Sequence, residues 1–282
     1  MSILLYGIIS LAYAVLALHF WHTRWNVAPA QNSAPWERIA IFAPLLVHSW
    51  LLYQDLFAAA QFRFGFGYAL SCMLWLGVLI YWLESLFVKL EGLQPLVLGL
   101  AALCAPLPAL FPGLVSPAYA HSLQFRLHTV LAMLAYSLFT IAALHAMLMT
   151  LVERRLHHRG AGAVGPAQGG PLAGPLAALP PLLTLESLLF RLIGFGFLLL
   201  TFTLATGMLN SEEIFGRAIP FNHKTLFAVI SWIIFAALLA GRIFYGWRGR
   251  TALRWTLAGF GTLLLAYVGS RFVLEVILRR GL

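Results

Sequence analysis

The sequence predicts an all-α, polytopic integral membrane protein of about eight transmembrane helices, and three observations carry the prediction. Hydrophobic residues make up 61% of the chain and charged residues 10%, with a mean hydropathy of +0.88. A soluble domain is nearer to roughly 45–50% apolar and 25% charged. The apolar residues fall in repeated runs of roughly 18 or more, each enough to cross a bilayer as a helix. The short alternating segments of a membrane β-barrel are not seen in the sequence.

Taken in order, the spans read as roughly 3–21, 38–58, 67–85, 95–113, 127–150, 190–209, 225–243 and 255–277. No Lys or Arg precedes the first run, and Arg24 follows it, so it reads as a retained span rather than a cleaved signal. The chain has 18 basic and 9 acidic residues. The basic ones sit in short loops, where they set orientation rather than bind nucleic acid. Arg24, Arg38, Lys89, Arg154, Arg155, Arg159, Arg191, Arg242, Arg248, Arg250 and Arg254 fall on one side, which predicts an N-out, C-out topology.

One long connection interrupts the spans. Glu153 to Arg159 leads into Gly-, Pro- and Ala-rich sequence through Pro181, the composition of a flexible inner linker. The chain therefore divides into a five-helix half (1–152), a linker (153–184) and a three-helix half (185–282). Residues 182–190 are expected to lie along the inner surface. His157 and His158 read as a solvated pair, with metal binding as the other reading. The turn Gly246-Trp247-Arg248-Gly249-Arg250 reads as structural, since its glycines suit unusual backbone angles.

The sequence has no Ser–His–Asp or paired-carboxylate arrangement, no Walker loop, no HExxH and no glycine-rich nucleotide fingerprint. It is expected not to be an enzyme. Cys72 and Cys104 lie inside apolar spans and form no CxxC pair.

Ionisable residues inside a membrane are costly and therefore mark candidate sites. His19, His48, His128, His145 and His223 lie in or at the ends of spans. His128 opens the fifth span and His223 the seventh, both on the predicted outer side. One reading makes them the two axial ligands of a haem, held from opposite faces of the iron. The other makes them interfacial groups bonded to a carbonyl or water. The fifth span carries Ala132, Ala135, Ala142 and Ala146 with Phe139 on the His128 face, leaving room for a flat ligand or a close helix. His19, His48 and His145 read as satisfied core histidines, with a second intramembrane site as the alternative. Arg126, Arg217, Lys224 and Arg271 share the outer side and suit carboxylates such as haem propionates. They also suit simple snorkelling, and Arg271 can pair with Glu275 one turn on. Gly207, Gly259 and Gly261 allow close helix approach.

The stretch LESLLFRLIGFGFLLLTFTLATG, then NHKTLFAVISWIIFAALLAGR, GWRGR and LAGFGTLLLAYVGSRFVLEVIL follow one another over residues 185–277, and HTVLAMLAYSLF opens at His128. In order and spacing these segments resemble the cytochrome c assembly protein family, membrane haem-handling proteins of the CcsA and CcmC type. Lys224 and Trp232 fall on a typical lysine and tryptophan of that family. The tryptophan-rich WWD loop of some members is replaced here by EEIFGRAIPF, and Gly241 precedes Arg242 where a histidine often stands. The resemblance is closest to the branch lacking the signature, with the YpjD and HemX proteins. It implies a bacterial inner membrane protein that handles a non-covalent, b-type haem near the periplasmic face. His128 and His223 are its implied iron ligands. The implied partners are lipid, haem and other cytochrome c biogenesis or membrane proteins. The alternative is a non-catalytic accessory protein of the same fold that regulates a transporter or a haem-biosynthesis enzyme through its inner loops.

Overall fold

The computed structural model describes residues 2–25, 35–58, 63–87, 92–113, 122–159, 182–215 and 223–278. Its elements are helical throughout, as an apolar chain in lipid requires, since a helix satisfies every backbone polar group within itself. The helices are α1 (Ser2–Phe20), α2 (Pro35–Tyr53), α3 (Phe66–Ser85), α4 (Gln94–Cys104), α5 (Leu107–Leu110), α6 (Leu123–Arg159), α7 (Leu182–Phe215), α8 (His223–Tyr245) and α9 (Gly249–Leu264). Helix α1 continues into a π-helical turn at Trp21–Trp25, and α2 into one at Gln54–Ala58. Helix α9 continues through Leu265–Gly269, Ser270–Phe272 and Val273–Ile277, two of them π-helical.

Among the described residues seven helices are long and apolar enough to cross a membrane, and an eighth apolar segment, Gln94–Leu110, is shorter. The sequence reading makes 95–113 one span, and the structure breaks it into two helices. Its prolines explain the difference. Pro95 starts α4, and Pro106 and Pro108 remove backbone donors where the helix would continue. At 1.5 Å per residue the whole segment reaches only about 25 Å, short of a roughly 30 Å hydrocarbon core. It still runs the length of the bundle, from Gly92 beside Trp25 to Phe111 beside Phe66, packed against α1 and α3 with Val97, Leu98 and Ala101 buried.

Helix α6 is the hub, touching α3, α7 and α9. Phe139 of α6 stacks on Phe235 of α8, with centroids 3.9 Å apart at 15°. Two glycines make room for that stack. A Cβ on Gly196 of α7 would lie 3.1 Å from the Phe139 ring, and one on Gly259 of α9 would lie 2.8 Å from Phe235. Four helices thus meet at one aromatic pair, with close packing that lipid alone does not drive. The alanine stripe of α6 resolves the same way. Ala135, Ala142 and Ala146 are fully buried by neighbouring helices, so the face carries helix packing. Gly261 plays no such part, because nothing lies within 4 Å of a Cβ there. Gly259→Ala is expected to cost about 1–3 kcal/mol through overpacking, read as reversible unfolding in mixed micelles.

The five-helix and three-helix parts share one core, a continuous cluster from Tyr13 and Val97 through Phe139 to Phe235 and Leu263. Helix α6 runs on through Arg159, so the basic segment from Glu153 is helical rather than linker. Likewise Leu182 to Phe190 is continuous with α7, and Leu185, Leu188 and Leu189 are buried. That stretch packs in the bundle instead of lying on its surface. Residues 160–181 lie outside the described residues.

The end of the bundle away from His128 is held by ion pairs. Glu37 of α2 accepts from Arg24 Nη2 at 2.6 Å and meets His19 Nε2 at 3.0 Å, with Arg24 and Glu37 buried. Glu186 of α7 pairs with Arg242 at 2.6 Å, and Glu153 with Arg250 at 3.4 Å. Helix α8 stops at Gly246, whose φ of 65° is left-handed, and Gly249 follows at 53°. This turn is structural, as its glycines imply.

Candidate functional site at the His128 end of the bundle

The site is built where α6 begins, α7 ends and α8 begins. Helices α6 and α7 run antiparallel, since Phe139 meets Gly196 while His128 meets Thr206 and Gly207. Helices α7 and α8 are also antiparallel. Trp232 of α8 donates its indole N–H to Thr201 at 2.9 Å and stacks on Phe197, while Arg242 lies 4.6 Å over Phe190. Helices α6 and α8 therefore run the same way. Counting from the stacked Phe139–Phe235 pair, His128 is 11 residues and His223 12 residues toward the same end. At 1.5 Å per residue both lie about 16–18 Å from the stack.

His128 is half-buried, and its Nδ1 lies 3.0 Å from the Thr206 hydroxyl. Thr206 has one proton to give, and its oxygen is 2.8 Å from the Phe202 carbonyl. With that proton directed at the carbonyl, the hydroxyl oxygen accepts from His128 Nδ1–H. The ring is then the Nδ1–H tautomer, and its Nε2 lone pair is left unused by this network. Gly207 gives the ring its place, since a Cβ there would stand 3.2 Å from His128 Cε1. Neither Thr206 nor Gly207 stood out as a site residue in the sequence. The signal was a small-residue patch, legible only as packing.

His223 is the first residue of α8 and is exposed. Lys224 and Arg271 are brought together on one ring, their charged groups 5.9 and 5.7 Å from the Tyr267 centroid. Arg271 also approaches Glu275 at 3.8 Å. Glu275 in turn accepts from the Phe66 backbone N–H at 3.4 Å, so it caps the N-terminus of α3 from across the fold. Gly65 lets the carboxylate approach, because a Cβ there would come within 2.8 Å of Oε1. Arg126 sits apart from this group, 5.9 Å over the Phe57 ring. Arg217 lies outside the described residues.

The remaining histidines are engaged differently. His48 is fully buried, with Nε2 2.9 Å from Ser71 Oγ and Nδ1 3.5 Å from the Tyr13 hydroxyl. It is a core histidine with both nitrogens matched. His19 belongs to the Glu37 ion pair. His145 bonds the Ile141 carbonyl through Nδ1 at 3.0 Å, and its buried Nε2 has no hydrogen-bond partner among the described residues. His157 and His158 fall in the last turn of α6, with side chains outside the described residues. At Gly241, where the resemblance expects a histidine, a Cβ would run into the Trp247 indole. That tryptophan fills the space another side chain would take. An apolar cavity of about 420 Å³ lies elsewhere, between α3, α5 and α9, and no histidine lines it.

A match to the family described as Cytochrome C assembly protein covers residues 36–278. It starts in α2, well before the segment on which the sequence resemblance chiefly rested. Over 153 residues the chain is 30% identical to the inner membrane protein YpjD of Escherichia coli K12, covering 53% of this chain and 52% of that one. Over 108 residues it is 35% identical to the cytochrome c biogenesis protein CcsA of Synechococcus sp. JA-3-3Ab, covering 38% of this chain and 31% of that one. An uncharacterized 28.8 kDa protein of Azospirillum brasilense is 32% identical over 174 residues, covering 62% of this chain and 58% of that one. The chain thus spans about half the length of the first of these relatives and less of CcsA. No solved structure matches.

Proposed function

This chain belongs to the cytochrome c assembly protein family, and we propose that it holds a non-covalent, b-type haem between α6 and α8, with His128 and His223 as axial ligands. The placement takes the N-out, C-out topology expected from the sequence, under which this end of the bundle faces the periplasm across the bacterial inner membrane. Haem bound there supplies an iron with two axial positions for neutral nitrogens. The observation that carries the reading is the Thr206 hydroxyl. With its own proton on the Phe202 carbonyl, it accepts a hydrogen bond from His128 Nδ1–H, a tautomer whose Nε2 keeps the lone pair a metal ligand needs. The similar depth of His223 on a neighbouring helix supports it. Lys224, next to His223, is the cation best placed for a propionate. Arg271 approaches Glu275 at 3.8 Å, and Arg126 faces Phe57. Arg217 belongs to the same proposed set by its position in the intervening loop.

The protein's part in this reading is to bind and orient rather than to catalyse. The tryptophan-free EEIFGRAIPF segment favours holding haem over presenting it on a tryptophan platform. Lipid and other cytochrome c biogenesis proteins are the proposed partners. Purified protein titrated with haem is expected to show a Soret band with the low-spin signature of two histidines. His128→Ala and His223→Ala are each expected to lose that signature, and the double variant to lose binding. A protein that takes up no haem, or a double variant that binds like the parent chain, would sink the reading. Full biological activity in that double variant would favour the accessory role.

A further inference from the structure

A groove of about 280 Å³ runs between α3 and α7, walled by Ile80, Leu138, Phe195 and Leu198, with Glu84 and Arg191 among its lining residues. Glu84 is one residue from the end of α3, and Arg191 is the second residue of the apolar stretch 190–209. The charged part therefore lies near the edge of the hydrocarbon, with apolar walls running inward from it. Glu84 Oε2 is buried and has no hydrogen-bond partner among the described residues. A carboxylate oxygen removed from water without a donor is costly, so the groove lacks an N–H group there. Arg191 is exposed and near enough for its charge to act on Glu84, yet no ion pair within 4 Å joins the two among the described residues. A guanidinium in this position suits a phosphate, which it grips with two parallel hydrogen bonds. One end of the groove thus asks for an ammonium and an anion on the same molecule, and the rest asks for a hydrocarbon chain.

We propose that this groove binds one phospholipid whose headgroup carries both a phosphate and a primary ammonium, as phosphatidylethanolamine does. Arg191 holds the phosphate, Glu84 accepts from the ammonium, and an acyl chain lies along Leu138, Phe195 and Leu198. A choline headgroup has no N–H to donate and a glycerol headgroup has no cation, so both satisfy only Arg191. The site is independent of haem, since it lies toward the opposite end of the bundle from His128.

The test uses the full chain in nanodiscs of equal parts phosphatidylethanolamine, phosphatidylcholine and phosphatidylglycerol, with retained lipid read by native mass spectrometry. The ethanolamine lipid is expected to be retained about tenfold over the other two, the worth of one charge-assisted hydrogen bond. Glu84→Gln should remove that preference, and Arg191→Gln should lower retention of all three. Leu198→Trp, which fills the groove and leaves both charges in place, should also lower retention and covers the case of a misfolded charge variant. Equal retention of the three lipids, no retained lipid, an unchanged preference in Glu84→Gln, or unchanged retention in Leu198→Trp would overturn the proposal. Displacement by soluble phosphoethanolamine would overturn it too, by showing a headgroup site that uses no chain. A lipid-free protein whose stability survives exchanging the two charges would show a direct Glu84–Arg191 pair and would overturn the proposal as well.

Discussion

Glu37→Ala protein is expected to unfold with about 3–5 kcal/mol less stability than the parent chain, the cost of removing one partner from a buried pair. Arg24 is 1% exposed and its guanidinium meets Glu37 at 2.6 Å. The same carboxylate holds His19 at 3.0 Å, so one deletion removes the anion from two groups on α1 and its π-helical extension. Alanine leaves a cation inside the bundle without that countercharge, where the surroundings solvate it poorly. Glu37→Gln keeps an acceptor oxygen and is expected to lose less. Reversible unfolding in mixed micelles, followed by far-ultraviolet circular dichroism, measures the difference. A loss below about 1 kcal/mol, the scale of an exposed ion pair, would mean that Arg24 reaches water or headgroups after all.

Thr206→Val is expected to weaken haem binding about 10–100-fold, the usual effect of removing the group that orients a metal-ligating histidine. Valine nearly matches threonine in shape but cannot accept from His128 Nδ1–H. The ring then loses the bond that selects its tautomer and fixes its plane. Thr206→Ser keeps the hydroxyl and should bind nearly as the parent does. Haem titration by absorbance reads the affinity, and unfolding of the haem-free protein serves as the control. If valine lowers stability and affinity together, Thr206 is a packing residue only. If valine leaves affinity unchanged, His128 is oriented by something else or is not a ligand.

Much of the fold was legible because lipid imposes a simple rule. A run of apolar residues long enough to cross must be helical, and seven such helices stand near the predicted positions. The break within 95–113 was not legible because hydropathy does not register the donors that Pro106 and Pro108 remove. The ends of α6 and α7 escaped for another reason. Charged and proline-rich neighbours make a segment look like linker, yet Leu185, Leu188 and Leu189 find a core to pack against. For the histidines, the pattern along the chain identified which ones sit at span ends. It could not separate His48, matched on both nitrogens, from His145, matched on one. Those differences are made by residues far apart in the chain, such as Tyr13 and Ser71 around His48.

What the sequence determined by itself is the medium and the element type. An apolar fraction of 61% with few charges selects a membrane, and the membrane selects helices. Family membership was also readable in the order of segments from 185 to 277. Only the tertiary structure decided which polar groups meet. Thr206 reaches His128 across 78 residues, and Glu275 caps α3 across 209. A hydrogen bond depends on placement within a few tenths of an ångström, which helix packing sets and which hydropathy along a single chain does not encode.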